Sequence, residues 1–113
     1  VNNALENDFG YSYGGDFGDY TSSTPVKQNI LMDKPVIFAG CNEEIRIIFN
    51  WGYRDCHAWV CDGYRGWENE CYSYLYYHMN WGWNNLHNGW FGSWSPGNWN
   101  FQYNKRVLLN INP

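Results

Sequence analysis

The chain has no cluster of basic residues. Seven lysines and arginines are scattered among 113 residues, against eleven acidic ones, for a formal charge of −4. Without a cationic groove, nucleic-acid binding is excluded, although many rings could stack on bases. Long apolar runs are missing too. Asn, Gly and Tyr interrupt them, and none approaches the roughly 20 apolar residues of a membrane helix. No basic segment leading into an apolar stretch opens the chain, which starts at Val1. No signal peptide is therefore in view, and the chain reads as a processed protein or a piece cut from a longer one. Lysine is scarce while Trp, Tyr, Asn and Gly are abundant, a balance that leans towards a secreted or periplasmic, extracytoplasmic protein. Cysteine is sparse. Cys41, Cys56, Cys61 and Cys71 allow three complete pairings, and the sequence does not choose among them. They are too few for a scaffold held mainly by disulfides.

Rings, at 21% of residues, are what the chain has in quantity. They suffice to fill one core, which excludes disorder and gives a single domain. Residues 1–24 are polar and rich in Gly and Tyr, without a clean period, and read as an irregular N-terminal arm. Thr24 and Pro25 then open a short helix to about Met32, with Val26, Ile30 and Leu31 on one side. Pro35 to Ala39 is a strand closed by Gly40. Asn42 to Asn50 fits both periods, and its β-branched content favours strand, with Ile45, Ile47 and Phe49 alternating. Trp51 to Asp55 reads as a turn, His57 to Asp62 as a buried strand, and Tyr64 to Asn69 as a hairpin-like connection. Tyr72 to Asn80 is the longest strand. Gly89 to Trp94 and Arg106 to Ile111 are further strands, separated by the loop Ser95 to Asn104. Residues 25–113 are thus a β-rich unit of the α+β class, an antiparallel sheet with one short helix.

Among three histidines, His57 begins an apolar strand directly after a polar stretch. A histidine there can serve as a general base, because its reference pKa lies near neutrality. The plainer reading is a packed, hydrogen-bonded side chain. Alternation sets His57, Trp59 and Cys61 on one face and Cys56, Ala58 and Val60 on the other.

The stretch Cys56-His57-Ala58-Trp59-Val60-Cys61-Asp62-Gly63-Tyr64, followed by Tyr77-His78-Met79-Asn80-Trp81-Gly82-Trp83, resembles the streptopain family of bacterial cysteine peptidases. That family carries G-H-A-F-V-x-D-G-Y and then Y-H-x-N-W-G-W on a papain-like fold. Lys34 to Gly40, Asn88 to Phe91 and Arg106 to Pro113 look like neighbouring strands of the same pattern. The resemblance covers residues 25–113 and implies the histidine-bearing, antiparallel-sheet half of a papain-like fold. It implies further that His57 takes the proton of a cysteine thiol, that Trp81 stands in the orienting place and that Trp83 shields the pair. Asn80 is a second candidate partner for the imidazole. Trp90 is a candidate for shielding or for substrate binding. For every one of these tryptophans the plainer reading is core filling.

Two departures concern the motif itself: Cys56 replaces a Gly before the histidine, and Asn84-Asn85 replaces a Gly-Gly pair. A larger one concerns the nucleophile, which in the family precedes the histidine by a long stretch and opens a long helix. Cys56 points away from His57, Cys61 lies four residues along the strand, and Cys71 matches no motif. Cys41 could open a helix at Asn42, but Glu43 and Glu44 would oppose a thiolate there. The expectation is therefore a chain inactive alone, which needs a partner chain or N-terminal half bearing the cysteine, with a peptide or protein as substrate. The alternative is a non-catalytic relic that binds protein or glycan. No cofactor is expected, and no metal, because Cys56, His57, Cys61, Cys71, His78 and His87 lack metal-site spacing. Trp90, Trp94, Trp99 and Tyr103 could make a sugar platform, although half-buried sheet packing is favoured. An apolar wall including Trp81 and Trp83 is expected to be covered by a homodimer, by a partner, or by the arm Asn2 to Tyr20.

Overall fold

In the computed structural model, which describes residues 2–8, 10–47, 50–71 and 73–112, the β-branched run after Pro35 opens a very long hairpin. Strand β2 (Val36–Ile47) pairs with β3 (Asn50–Glu68) in one register, from Val36↔Cys61 to Ile47↔Asn50. The turn read at Trp51 to Asp55 and the connection read from Tyr64, as far as Glu68, are strand instead. Cross-strand pairing satisfies their backbone groups, and this outweighs the local preference of Gly and Asp for turns.

Strand β4 (Ser73–Asn80) pairs with β3, and β5 (Gly89–Phe91) pairs with β4. The last strand, β6 (Tyr103–Leu109), returns to the other side of β2. The region read as an irregular arm carries α1 (Asn2–Asn7) and β1 (Asp16–Asp19). β1 pairs with β6, so the antiparallel sheet runs β1-β6-β2-β3-β4-β5. Three of the four residues of Asp-Phe-Gly-Asp disfavour a strand. The free edge of β6 and the bond from Asn110 Nδ2 to Asp16 Oδ2 (2.9 Å) hold it there. The alternation read for Phe49 and the strand start read at Tyr72 lie outside the described residues, as do Val1 and Pro113.

Helix α2 (Thr24–Leu31) forms where it was read and packs Val26 into the core, but Ser23 rather than Thr24 stands at its N-cap and Leu31, read on the side of Val26, is exposed. Its Asn29 is the one buried polar side chain among the described residues. Asn29 Oδ1 accepts from Asn110 N at 2.6 Å and its amide donates to the Pro25 carbonyl at 3.0 Å, which ties α2 to the end of β6. One face of the sheet buries Phe38, Trp59, Cys61, Tyr77 and Met79. A bulge between Cys61 and Gly63 turns Asp62 outward and returns Tyr64 to the core side. With two short helices on a mostly antiparallel sheet, the fold is α+β.

Candidate active site

His57 stands opposite Gly40 of β2, on the face that carries Trp59. A Cβ at Gly40 would lie 2.4 Å from the Phe101 carbonyl oxygen. Only glycine lets the 92–102 loop come so close, and this approach brings Phe101 to 5.7 Å from the imidazole. The loop is held by Phe101 N donating to the Trp94 carbonyl (2.7 Å) and by Asn100 N donating to Asn42 Oδ1 (2.6 Å). Trp99 stacks on Phe101 at 5.6 Å and 9°. On the other side Trp83 stacks on the His57 ring at 4.9 Å and 16°. The resulting cleft, about 300 Å³, is lined by Asp55, Cys56, His57, Trp83, Trp99 and Phe101.

His57 Nε2 lies 2.8 Å from the backbone carbonyl oxygen of Trp81. A carbonyl only accepts, so Nε2 carries the proton and Nδ1 holds the basic lone pair. The Trp81 peptide is itself anchored, its N–H donating to Asn88 Oδ1 at 3.0 Å. Long-range proton–nitrogen NMR correlations are expected to show His57 as the Nε2-protonated tautomer at neutral pH. An Nδ1-protonated ring would mean that this bond does not form.

The carbonyl of Trp81, rather than its indole, therefore meets the imidazole. The indole is fully buried, 4.5 Å from Trp59 and edge-on to Phe91 at 5.3 Å. Its Nε1 has no partner among the described residues. The expected exposed wall at Trp81 is thus absent, because rings of this chain already cover it. Among the described residues, none of α1 or β1 lines the cleft. Asn80 does not reach His57. It faces the opposite side of the sheet, and its Oδ1 accepts from Gly82 N at 3.1 Å.

Trp90 also lies on the opposite face, edge-on to His78 at 5.1 Å and under the Arg65 guanidinium at 4.7 Å. Trp90, Trp94, Trp99 and Tyr103 do not converge: Trp94 is buried against Phe38 at 4.6 Å, and Trp99 lines the cleft. Asn84 and Asn85 adopt φ of 55° and 68°. Asn tolerates this left-handed region better than other side chains, so the backbone keeps a conformation that a Gly pair would favour.

Cys41 opens no helix. It is buried in β2 and bonded to Cys56, directly across the hairpin. Counted back from the pair Ile47↔Asn50, equal spacing along the two strands pairs these two cysteines, a signal the sequence reading did not use. Gly40, Asn42, Asn88 and Phe101 also escaped that reading, as did the place of Trp99 beside His57, because their roles arise from contacts far apart in sequence.

Cys61 is fully buried, its thiol 3.6 Å from the Gly63 carbonyl, and burial pushes its pKa up to about 12. Cys71 is exposed beyond the end of β3, on the order of 40 Å from His57 at strand spacing. No group of three His, Cys, Asp or Glu side chains able to hold a metal occurs among the described residues.

The Cys61 thiol and the Tyr77 phenol, which burial also raises, make stability fall in alkali. In the unfolded chain they ionise near their ordinary values of 9.0 and 10.0, while in the fold they stay neutral. The fold binds more protons above pH 9, so stability should decline from about pH 9 towards 12, by on the order of 1 kcal/mol per pH unit for the thiol. Denaturant titrations across that range check this. A Cys61→Ala variant should show the shallower slope.

No curated protein matches the chain. The model of the Peptidase C10 family matches residues 1–91, from the N-terminal elements through His57 and the Trp81–Trp83 turn to the end of β5. With most of its length matched, this chain belongs to the peptidase C10 family, the streptopain family of cysteine peptidases.

Proposed function

We propose that the chain is the histidine-bearing part of a streptopain-like cysteine endopeptidase, with His57 as the proton acceptor. The supporting observation is the bond from Nε2 to the Trp81 carbonyl. It fixes the ring's tautomer and leaves Nδ1 as the base. A thiol in the cleft would give its proton to Nδ1, leaving a thiolate and an imidazolium. The thiolate attacks a peptide carbonyl, and the imidazolium protonates the departing amine. Water then hydrolyses the acyl-enzyme, with the same nitrogen accepting its proton. Trp81 acts through its peptide carbonyl, and Trp83 covers one face of the ring pair.

The sulfur belongs to a polypeptide segment outside these 113 residues. Cys41 and Cys56 are bonded to each other, Cys61 is buried, and Cys71 is distant. The chain alone is therefore inactive, and its partner is the half that carries the cysteine. A Cys41–Cys56 bond suits an oxidising compartment, which supports a secreted or periplasmic enzyme.

A thiol-directed peptidyl epoxide tests this. The isolated chain should give no stoichiometric adduct at any cysteine, while the product of the full native reading frame should be labelled once, outside residues 1–113. Labelling of Cys61 or Cys71 in step with peptidase activity would overturn the reading. A full product without a reactive cysteine and without activity would favour the binding relic instead.

A further inference from the structure

Asp55 stands two residues before His57 on β3, on the same side of the strand by alternation, and lines the cleft with it. Its φ is 54°, a left-handed backbone that Asp adopts more readily than most side chains. The ladder is in register on either side of it, with Cys41↔Cys56 and Glu43↔Arg54 as cross-strand pairs. The Cys41–Cys56 disulfide and the bond from Asn100 N to Asn42 Oδ1 (2.6 Å) hold this part of the hairpin in place. Asp55 is exposed, and no lysine, arginine or histidine pairs with its carboxylate among the described residues.

Aromatic rings make up much of the remaining lining: Trp83, Trp99 and Phe101. A turn closed by Trp99 N donating to the Pro96 carbonyl at 3.0 Å, with Gly97 at φ 59°, sets Trp99 at the cleft. Phe101 stacks on that ring and Trp83 lies 6.3 Å from it, yet Trp99 stays 43% exposed. Among the described residues, lysines and arginines lie over Tyr64, Trp90, Tyr20, Trp94 and Phe17, and none lies over Trp83 or Trp99. No lysine or arginine lines the cleft either. The cleft thus offers a carboxylate and indole surface, and supplies no cation of its own among the described residues.

We infer that this cleft receives a lysine or arginine side chain of the peptide substrate. The aliphatic stem lies along the indoles, whose faces attract the cation. The charged end reaches the Asp55 carboxylate, and a guanidinium can engage both of its oxygens. An acidic side chain would meet Asp55 as a like charge. An apolar one would strip water from that carboxylate and give it no cation in return. The aromatic walls alone would accept any apolar side chain, so Asp55 is the residue that sets the specificity. The inference rests on the peptidase reading for the source of the ligand. The binding itself needs neither the cysteine nor the basic nitrogen of His57.

The test is an NMR titration of the isolated chain with N-acetyl-arginine methylamide and its uncharged isostere, N-acetyl-citrulline methylamide. The arginine compound should shift the Trp99 indole N–H resonance saturably. The citrulline compound should bind about tenfold more weakly, since it lacks the cation–π and charge-pair contributions. Asp55→Asn keeps a side chain that tolerates the left-handed backbone. It should weaken the arginine compound several-fold and leave the citrulline compound unchanged. Equal affinity for the two compounds, an unchanged arginine affinity in Asp55→Asn, or no response at Trp99 would overturn the inference. The full-length product should cut a mixed peptide library with lysine or arginine enriched at one position beside the scissile bond, and Asp55→Asn should erase that enrichment. Cleavage without it would likewise overturn the inference. A full-length product that binds the arginine compound through Asp55 but cuts no peptide would remove the peptidase reading and sustain the cleft's preference for a cation.

Discussion

Alanine at position 81 is expected to lower the unfolding free energy by about 3–5 kcal/mol, the range for emptying a buried indole site. Trp81 is the largest fully buried side chain, and its neighbours Trp59, Trp83, Phe91 and Phe101 are rigid rings that collapse poorly into a void. Calorimetry should record a fall in midpoint of roughly 15 °C. Phenylalanine should behave differently. It keeps most of the ring contacts and removes the unpaired Nε1–H, whose burial costs about 1–3 kcal/mol. Trp81→Phe should therefore cost less than about 2 kcal/mol. It should also leave His57 as the Nε2-protonated tautomer, because the carbonyl that holds the ring belongs to the backbone. Loss of that tautomer in Trp81→Phe would show that the indole itself orients the imidazole.

In the full-length peptidase, His57→Ala should reduce kcat by about 10³-fold or more, since neither thiolate formation nor amine protonation has a substitute nearby. The fold should persist, because His57 is only half-buried and the disulfide and Phe101 hold the cleft without it. Near-ultraviolet circular dichroism monitors the packing of Trp83 and Trp99 in the variant. Activity within tenfold of the parent, in a folded His57→Ala protein, would remove His57 from the mechanism. Asn80→Ala separates two accounts of the same motif. Its side chain bonds Gly82 on the opposite face, so kcat should change little. A loss like that of His57→Ala would restore Asn80 as the partner of the imidazole.

The motif around His57 and the Trp81-Gly82-Trp83 turn was legible because both are local patterns on adjacent strands. The family relationship follows from those residues. Alternation also placed His57 with Trp59, since the period of a strand is a property of the backbone alone. The lengths of β2 and β3 were misjudged. Gly52, Arg54 and Asp55 read as turn residues, and only their cross-strand partners make them strand. β1 was missed for a related reason, as its four residues pair with a strand some 90 positions away.

The sequence by itself determined the class of the fold, the family motif around His57 and the lack of a matching nucleophile motif, because each is carried by residue type and short-range spacing. Only the tertiary structure decided which group meets the imidazole, which cysteines pair, and where the remaining tryptophans face. Those depend on contacts such as Gly40 with Phe101 and Trp81 with Asn88. In each, a backbone atom or a missing Cβ acts, and neither leaves a pattern along the chain.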